Sequence, residues 1–132
     1  MRLFEIKNSG YVYHASHTPN NDRKALVKSI YMQGLKPSKE GYDGPGVYFA
    51  HEPDGRTYDH TDPNFATMLR VKFDDLISLY GKYSENGTGV QWDDEEIVVP
   101  DVVPADYLEV EVSPGKWEEL NDVYQELSYE AI

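Results

Sequence analysis

Short runs rich in β-branched and aromatic residues recur along this chain, and they predict strands. In several of them apolar and polar residues alternate, as happens when one face of a strand is buried. The runs occupy residues 3–6, 11–16, 47–50, 68–73, 97–99 and 107–112, and an edge strand is expected at 117–120. Because Pro100 and Pro104 lie between two of these runs, the link that joins them is expected to be irregular.

Helical spacing is clearest in residues 23–33. Apolar side chains recur there at Leu26 and Ile30, followed by Tyr31 or Met32. Residues 19–22 break the chain and offer an N-cap, and Gly34 stands where the helix should end. These signals together predict an α-helix over residues 23–33.

Elsewhere the helical signal is weaker. Spacing of this kind recurs at residues 122–129, and one helical turn is expected near residues 56–60. Several short strands with one or two helices predict an α+β fold with a mostly antiparallel sheet or a split barrel. The length of 132 residues predicts a single domain, residues 1–132, large enough to bury a core of its own.

Composition indicates the cellular compartment in which the protein is expected to act. The chain has no cysteine, which excludes disulfides and thiolate metal sites and fits a reducing compartment. No apolar run approaches the roughly 20 residues that cross a bilayer, so no membrane partner is expected. We therefore expect a cytoplasmic protein, acting in the cell that makes it or in a host cell.

Charge is high and unevenly distributed. The formal net charge is −12, which argues against binding to nucleic acid, because phosphate neutralisation takes Lys and Arg. Residues 1–72 hold ten Lys and Arg against eight Asp and Glu, whereas residues 73–132 hold two against sixteen. Such an acidic half fits a basic protein partner, a mimic of nucleic acid, or simply a well-solvated surface.

Three short motifs carry the candidate chemistry. Residues 13–16 read Tyr-His-Ala-Ser, residues 44–50 read Gly-Pro-Gly-Val-Tyr-Phe-Ala, and residues 95–99 read Glu-Glu-Ile-Val-Val. Each places a polar or aromatic residue among the apolar residues of a predicted strand. A histidine, a tyrosine and a glutamate that lie far apart in the chain are therefore expected to meet at one cleft.

The order His14, Tyr48, Glu96 resembles the His-Tyr-Glu signature of ADP-ribosyltransferases of the diphtheria-toxin and poly(ADP-ribose) polymerase type. The first motif is similar to their first strand, except that Ala15 stands where they have glycine. The second is close to their Gly-x-Gly, aliphatic residue, Tyr-Phe-Ala. The resemblance extends over residues 11–112 and implies their split antiparallel β-sheet core with one or two helices.

The resemblance implies an enzyme that uses NAD as co-substrate, transfers ADP-ribose and releases nicotinamide. Glu96 would hydrogen-bond a ribose 2′-hydroxyl and stabilise the positive charge that develops on that ribose. His14 would donate to the 2′-hydroxyl of the adenine-side ribose, and Tyr48 would stack on the cationic nicotinamide ring. No Gly-x-Gly-x-x-Gly occurs, so NAD would bind without a Rossmann fold.

Further contacts to NAD are implied around these three residues. Ser16 and the backbone of Ala15 would bind the nicotinamide carboxamide. Tyr58, ten residues after Tyr48, would cover the opposite face of the nicotinamide ring.

The segment before Glu96 corresponds to the loop with which members of this family recognise the acceptor. Tyr83, Trp92 and Asp94 are the candidates here. Arginine-modifying relatives carry glutamate two residues before the catalytic one. Because Asp94 is shorter, the type of acceptor stays open.

Several alternatives also stay open. Glu95 competes with Glu96, because a slip of one residue in register exchanges the two faces of a strand. His51 and His60 lie among aspartates, but their spacing matches no zinc pattern, so no metal site is expected.

The competing functions are related enzymes or a binding protein. An RNA 2′-phosphotransferase that uses NAD should need a basic groove, and a rifamycin-modifying ADP-ribosyltransferase fits the size of the chain. The alternative without catalysis is an acidic binding or inhibitor protein that mimics nucleic acid. For the enzyme, we expect a protein acceptor with a basic surface and a role as a phage or bacterial effector.

Overall fold

The computed structural model describes residues 10–17, 22–38, 46–53, 66–82, 89–93 and 96–130. This part of the chain has a mixed α+β fold, with a seven-stranded antiparallel sheet and three α-helices. The strands are β1 Tyr11–His17, β2 Val47–Ala50, β3 Ala66–Lys72, β4 Gln91–Trp92, β5 Glu96–Val99, β6 Glu109–Ser113 and β7 Lys116–Glu119. The helices are α1 Arg23–Gln33, α2 Phe73–Tyr80 and α3 Leu120–Glu130, and Ala105–Tyr107 forms a 3-10 turn.

The strands are ordered β4-β5-β2-β1-β3-β6-β7 across the sheet. β1 pairs with β3 along its whole length, and β2 pairs with β5 along its whole length. Between β1 and β2, in contrast, the register is a single pair, Tyr13 opposite Ala50. The sheet therefore consists of two well-paired halves that meet at one narrow junction.

One face of the sheet packs against the helices and is called the core face. Strand alternation brings apolar side chains to this face, and they are almost completely buried: Val12, Val47, Phe49, Leu69, Val71, Ile97, Val99 and Val110. The helices cover them with Val27 and Ile30 from α1, Leu76 from α2, and Leu120 and Val123 from α3. The core thus joins both halves of the sheet.

The opposite face is called the tyrosine face, defined by Tyr11, Tyr13, Tyr48, Arg70 and Glu96. The register places a row of residues across it, Glu96–Ala50–Tyr13–Arg70–Glu109–Glu119, running from β5 to β7. Directly opposed residues of antiparallel strands point to the same side, so every member of the row belongs to this face.

An ion pair on the tyrosine face ties β3 to β6. Arg70 donates to Glu109 Oε1 from Nη2 at 2.8 Å and from Nε at 3.2 Å, and the Tyr11 hydroxyl donates to Glu109 Oε2. The guanidinium lies 3.8 Å from the centroid of the Tyr11 ring and 4.4 Å from that of Trp117. Charge-assisted hydrogen bonds and ring stacking together stabilise this half of the sheet.

The predicted helix at 23–33 is confirmed at both ends. Asp22 caps it by accepting from the Ala25 amide at 3.0 Å, and the Gly34 amide donates back to the Ile30 carbonyl. Gly34 has a φ of 77°, which favours glycine, and a Cβ there would lie 2.5 Å from a methyl carbon of Val102. Glycine therefore ends α1 and permits its close approach to residues 102–103.

The sheet prediction is confirmed in outline and corrected in detail. The strands at 11–16, 47–50, 97–99 and 117–120 agree with β1, β2, β5 and β7 to within one residue at each end. The prediction of one or two helices is too low, because α2 was not predicted and its first residue falls in the expected strand at 68–73.

The other differences lie in residues 66–130. The strand expected at 68–73 begins two residues earlier and ends one residue earlier, as β3, and the short strand β4 was not expected. The strand expected at 107–112 starts only at Glu109, because residues 105–107 form the 3-10 turn. The helix expected at 122–129 begins two residues earlier, directly after β7. The expected strand at 3–6 and helical turn at 56–60 lie outside the described residues. None of the described helices is long and apolar enough to cross a bilayer.

Candidate functional site

The candidate residues His14, Tyr48 and Glu96 lie on three neighbouring strands. His14 is in β1, Tyr48 in β2 and Glu96 in β5, and the order β5-β2-β1 puts Tyr48 on the strand between the other two. Residues more than eighty positions apart in the chain are thus gathered within three strands. This juxtaposition comes from the strand order.

His14 bridges the junction between the two halves of the sheet. Its Nδ1 lies 2.7 Å from the backbone carbonyl oxygen of Tyr48, close to the only residue pair that joins β1 to β2 in the described chain. A carbonyl only accepts, so Nδ1 carries the proton and donates. The side chain of His14 therefore connects two strands where the backbone ladder between them is interrupted.

The environment of His14 favours its neutral form. Burial lowers the pKa of the imidazole below its ordinary value, and the hydrogen bond to the Tyr48 carbonyl offsets part of that effect. The ring lies 5.7 Å from the Phe49 ring in a tilted arrangement. With the proton on Nδ1 of a neutral ring, Nε2 is left as an acceptor.

Tyr48 and Glu96 share the tyrosine face. Ala50 lies opposite Glu96 on one side and opposite Tyr13 on the other, and Tyr48 is two residues from Ala50. Successive side chains of a strand point to opposite faces of the sheet. Because Tyr13 lies on the tyrosine face, its neighbour His14 lies on the core face. The structure thus puts the tyrosine and the glutamate on one side of the sheet and links His14 to them only through the Tyr48 backbone. The expectation that all three side chains meet at one cleft is therefore met by Tyr48 and Glu96 but not by His14.

Hydrogen bonds between Asp93, directly after β4, and Glu96 hold the start of β5. The Asp93 amide donates to the Glu96 carbonyl at 3.0 Å, and the Glu96 amide donates to Asp93 Oδ1 at 2.9 Å. His51, the residue after β2, donates from Nε2 to the Asp93 carbonyl at 2.7 Å. The backbone of Glu96 is therefore held by its pairing with Ala50 and by its two hydrogen bonds with Asp93.

The neighbours of His14 take different positions. Ala15 is exposed opposite Met68, on the tyrosine face, which leaves its backbone near Tyr48. Ser16 is partly buried opposite Thr67, on the same side of β1 as His14. The carboxamide contact implied for Ala15 and Ser16 stays a prediction.

The candidates for acceptor recognition are only partly described. Trp92 lies opposite Ile97, on the core face, and its ring packs edge-on against Phe73 with centroids 5.0 Å apart. This packing accounts for the apolar ring without an acceptor, so the proposed recognition role of Trp92 stays a prediction. Tyr58, Tyr83 and Asp94 lie outside the described residues, as does the competing Glu95.

Two residues at the site were missed or misread in the sequence. In the sequence, His51 is a candidate only for a metal site, and Asp93 is not singled out. Aspartate at the first position of a tight turn was the available signal for Asp93, because its side chain accepts from backbone amides further along the turn. In the described segments, no three His, Cys, Asp or Glu side chains group closely enough to hold a metal ion.

Comparison with protein-family models, with curated proteins and with solved structures found no match for this chain. The three motifs and the geometry of β1, β2 and β5 are therefore the basis for a functional proposal.

Proposed function

We propose that this protein is an NAD-dependent mono-ADP-ribosyltransferase of the His-Tyr-Glu type, with the ADP-ribosyltransferase fold. The observation that supports this most directly is the grouping of His14, Tyr48 and Glu96 on three adjacent strands. The motifs identify these residues independently of their positions in the fold. A chance set of one histidine, one tyrosine and one glutamate would have no reason to fall on neighbouring strands.

The proposed reaction breaks the bond between the nicotinamide nitrogen and C1′ of the ribose. Nicotinamide leaves with the electron pair, and positive charge develops on the ribose. The Glu96 carboxylate stabilises that charge and accepts a hydrogen bond from the ribose hydroxyl. An acceptor nucleophile then bonds to C1′ and gives up its proton.

The positions of Tyr48 and Glu96 suit ring stacking by the tyrosine and charge stabilisation by the glutamate on one NAD molecule. Because both belong to the tyrosine face, a nicotinamide ring stacked on Tyr48 holds its ribose on the Glu96 side. The partly exposed Tyr48 ring attracts a cationic ring by its electron-rich face. Binding and charge stabilisation thus come from adjacent strands.

The structure changes one detail of the role implied for His14. The resemblance implies donation from His14 to a ribose hydroxyl. A neutral ring that already donates from Nδ1 to Tyr48 has only an acceptor at Nε2. Because His14 lies on the core face, its proposed part is to hold the Tyr48 backbone, and a contact with a ribose hydroxyl stays a prediction.

The proposed acceptor is a protein with a basic surface, and the proposed role is that of a phage or bacterial effector in the cytoplasm. The support is the charge distribution, with sixteen acidic and two basic residues in positions 73–132. The same acidity supports a second candidate, an acidic binding protein without catalysis.

A comparison of two glutamate variants tests the proposal. The protein is incubated with NAD labelled in the adenosine part and with basic candidate acceptor proteins, and both nicotinamide release and acceptor labelling are measured. Glu96→Gln should lower the rate by about 10²–10³-fold, the factor for one preorganised electrostatic group. Glu119→Gln, an exposed residue in the same cross-strand row, is the matched control and should keep full activity. If wild type releases no nicotinamide and labels nothing, the enzyme proposal is rejected in favour of the binding protein.

A further inference from the structure

His51 makes a contact that neither the motifs nor the proposed chemistry require. It directly follows Ala50, the residue that pairs with Glu96, and its Nε2 donates to the Asp93 carbonyl at 2.7 Å. Asp93 in turn exchanges two hydrogen bonds with Glu96, one from each backbone amide. A continuous chain of hydrogen bonds therefore runs from His51 through Asp93 to the backbone of Glu96.

This chain holds the first residue of β5 from two directions. On one side, Ala50 of β2 pairs with Glu96 in the sheet. On the other side, Asp93 makes two hydrogen bonds to the Glu96 backbone, and His51 donates to the Asp93 carbonyl. Loss of the His51 donor would free the Asp93 peptide to rotate and would loosen the orientation of the Glu96 side chain.

The second nitrogen of His51 supports a fixed role for the ring. Nδ1 is buried and has no hydrogen-bond partner among the described residues. A polar atom in that position lowers stability, and natural structures tolerate few of them. A simple packing role would be filled better by an apolar ring, whereas the contact with the Asp93 carbonyl needs an N–H donor.

We propose that His51 is a positioning residue for Glu96, acting through the hydrogen bonds of Asp93. Its consequence for catalysis rests on the proposed transferase function, but the hydrogen-bond chain itself does not. His51 makes no contact with substrate in this scheme. It sets the geometry of the residue that does.

Two substitutions distinguish the effect of the His51 hydrogen-bond donor from the effect of the size of its side chain. His51→Phe keeps a ring and removes the donor, while His51→Gln keeps an N–H at a similar reach. In His51→Phe, kcat for nicotinamide release should fall by about 10- to 100-fold, as expected for a displacement of a catalytic group by a fraction of an ångström to one ångström. KM for NAD should stay within about two-fold, because His51 does not touch the nucleotide, and His51→Gln should recover most of kcat.

A second readout needs no catalysis. Amide hydrogen exchange of Asp93 and Glu96, followed by NMR, should be faster in His51→Phe by up to about ten-fold, the factor for loss of one net hydrogen bond. In His51→Gln the exchange rates should return towards those of wild type. His17→Phe, an exposed histidine at the end of β1, is the control and should leave both amides unchanged.

The outcomes are distinguishable. If wild type does not cleave NAD, the proposed function fails, and the exchange rates alone decide whether His51 holds the Glu96 backbone. Unchanged exchange in His51→Phe overturns the inference, whatever the activity. It is also overturned if His51→Gln is as slow as His51→Phe, or if KM for NAD rises while kcat is unaltered. Unfolding temperatures of all variants establish that each remains folded during these measurements.

Discussion

The Nδ1–H of His14 donates to the backbone carbonyl of Tyr48 at 2.7 Å, across the junction where the two halves of the sheet meet. A single residue pair, Tyr13 with Ala50, joins β1 to β2 in the described chain. The imidazole thus serves the architecture and the candidate site at once. It strengthens a weakly paired junction, and it links β1 to the residue proposed to hold nicotinamide.

This relationship predicts a loss of stability when the donor is removed. In His14→Leu the Tyr48 carbonyl loses its partner in a partly buried position, so the free energy of unfolding should fall by about 1–3 kcal/mol. Urea denaturation measures the change. His14→Asn, whose amide can still donate, should lose less. Equal losses in the two variants would contradict a role for the hydrogen bond.

The lowered pKa of His14 predicts a pH dependence of stability. Its folded pKa lies below the ordinary value of 6.5, so at intermediate pH the unfolded state binds more protons. Stability from this group is therefore complete above about pH 6.5 and is lost as pH falls toward the folded pKa. Urea denaturation across pH 5–8 should show a steeper decline for wild type than for His14→Asn. Parallel curves would indicate that His14 titrates as it does in the unfolded chain.

Tyr48 is expected to contribute to NAD binding by its ring alone. Tyr48→Ala should weaken NAD binding by roughly ten-fold, in line with a stacking contribution on the order of 1–3 kcal/mol per ring. The backbone bond to His14 is retained in that variant, so the fold should persist. Calorimetric titration with NAD measures the affinity, and Tyr48→Phe should bind nearly as well as wild type. If the alanine variant binds NAD as tightly, the stacking role is wrong.

The Arg70 cluster is expected to matter for stability more than for chemistry. Arg70→Met should lower the free energy of unfolding by about 1–3 kcal/mol, because Glu109 loses two charge-assisted hydrogen bonds and two rings lose the guanidinium. Lys72→Met, an exposed cation on the same strand, is the control and should change stability by less than about 0.5 kcal/mol. Thermal or urea unfolding distinguishes them. If both variants lower the free energy of unfolding by a similar amount, the Arg70–Glu109 ion pair contributes no more to stability than an exposed cation does.

Local sequence was sufficient for the elements with clear end signals. The bounds of α1 agree with its prediction because Asp22 caps the first turn and Gly34 takes a backbone conformation that suits glycine. β2 is bounded as predicted for a similar reason, since the glycine-rich segment before Val47 marks its start. α2 was missed because it follows β3 without a break and is only eight residues long.

The identity of the candidate residues also came from the sequence, but their arrangement did not. Motifs pointed to His14, Tyr48 and Glu96, whereas the part played by His51 has no sequence signature. Its partner Asp93 lies 42 positions away and becomes a neighbour only through strand pairing. The contacts that Arg70 makes are likewise with two rings and a carboxylate on other strands, so they could not be predicted from local sequence.

The sequence by itself determined the α+β class, the position of α1 and most strands, and which three residues to consider, because caps, turns and strand alternation act over a few residues. Only the tertiary structure decided that β1, β2 and β5 lie side by side, and that Tyr48 and Glu96 share a face while His14 does not. The physical reason is that strand order and register arise from pairing between distant segments. A shift of one residue in that pairing would move every side chain of a strand to the other face.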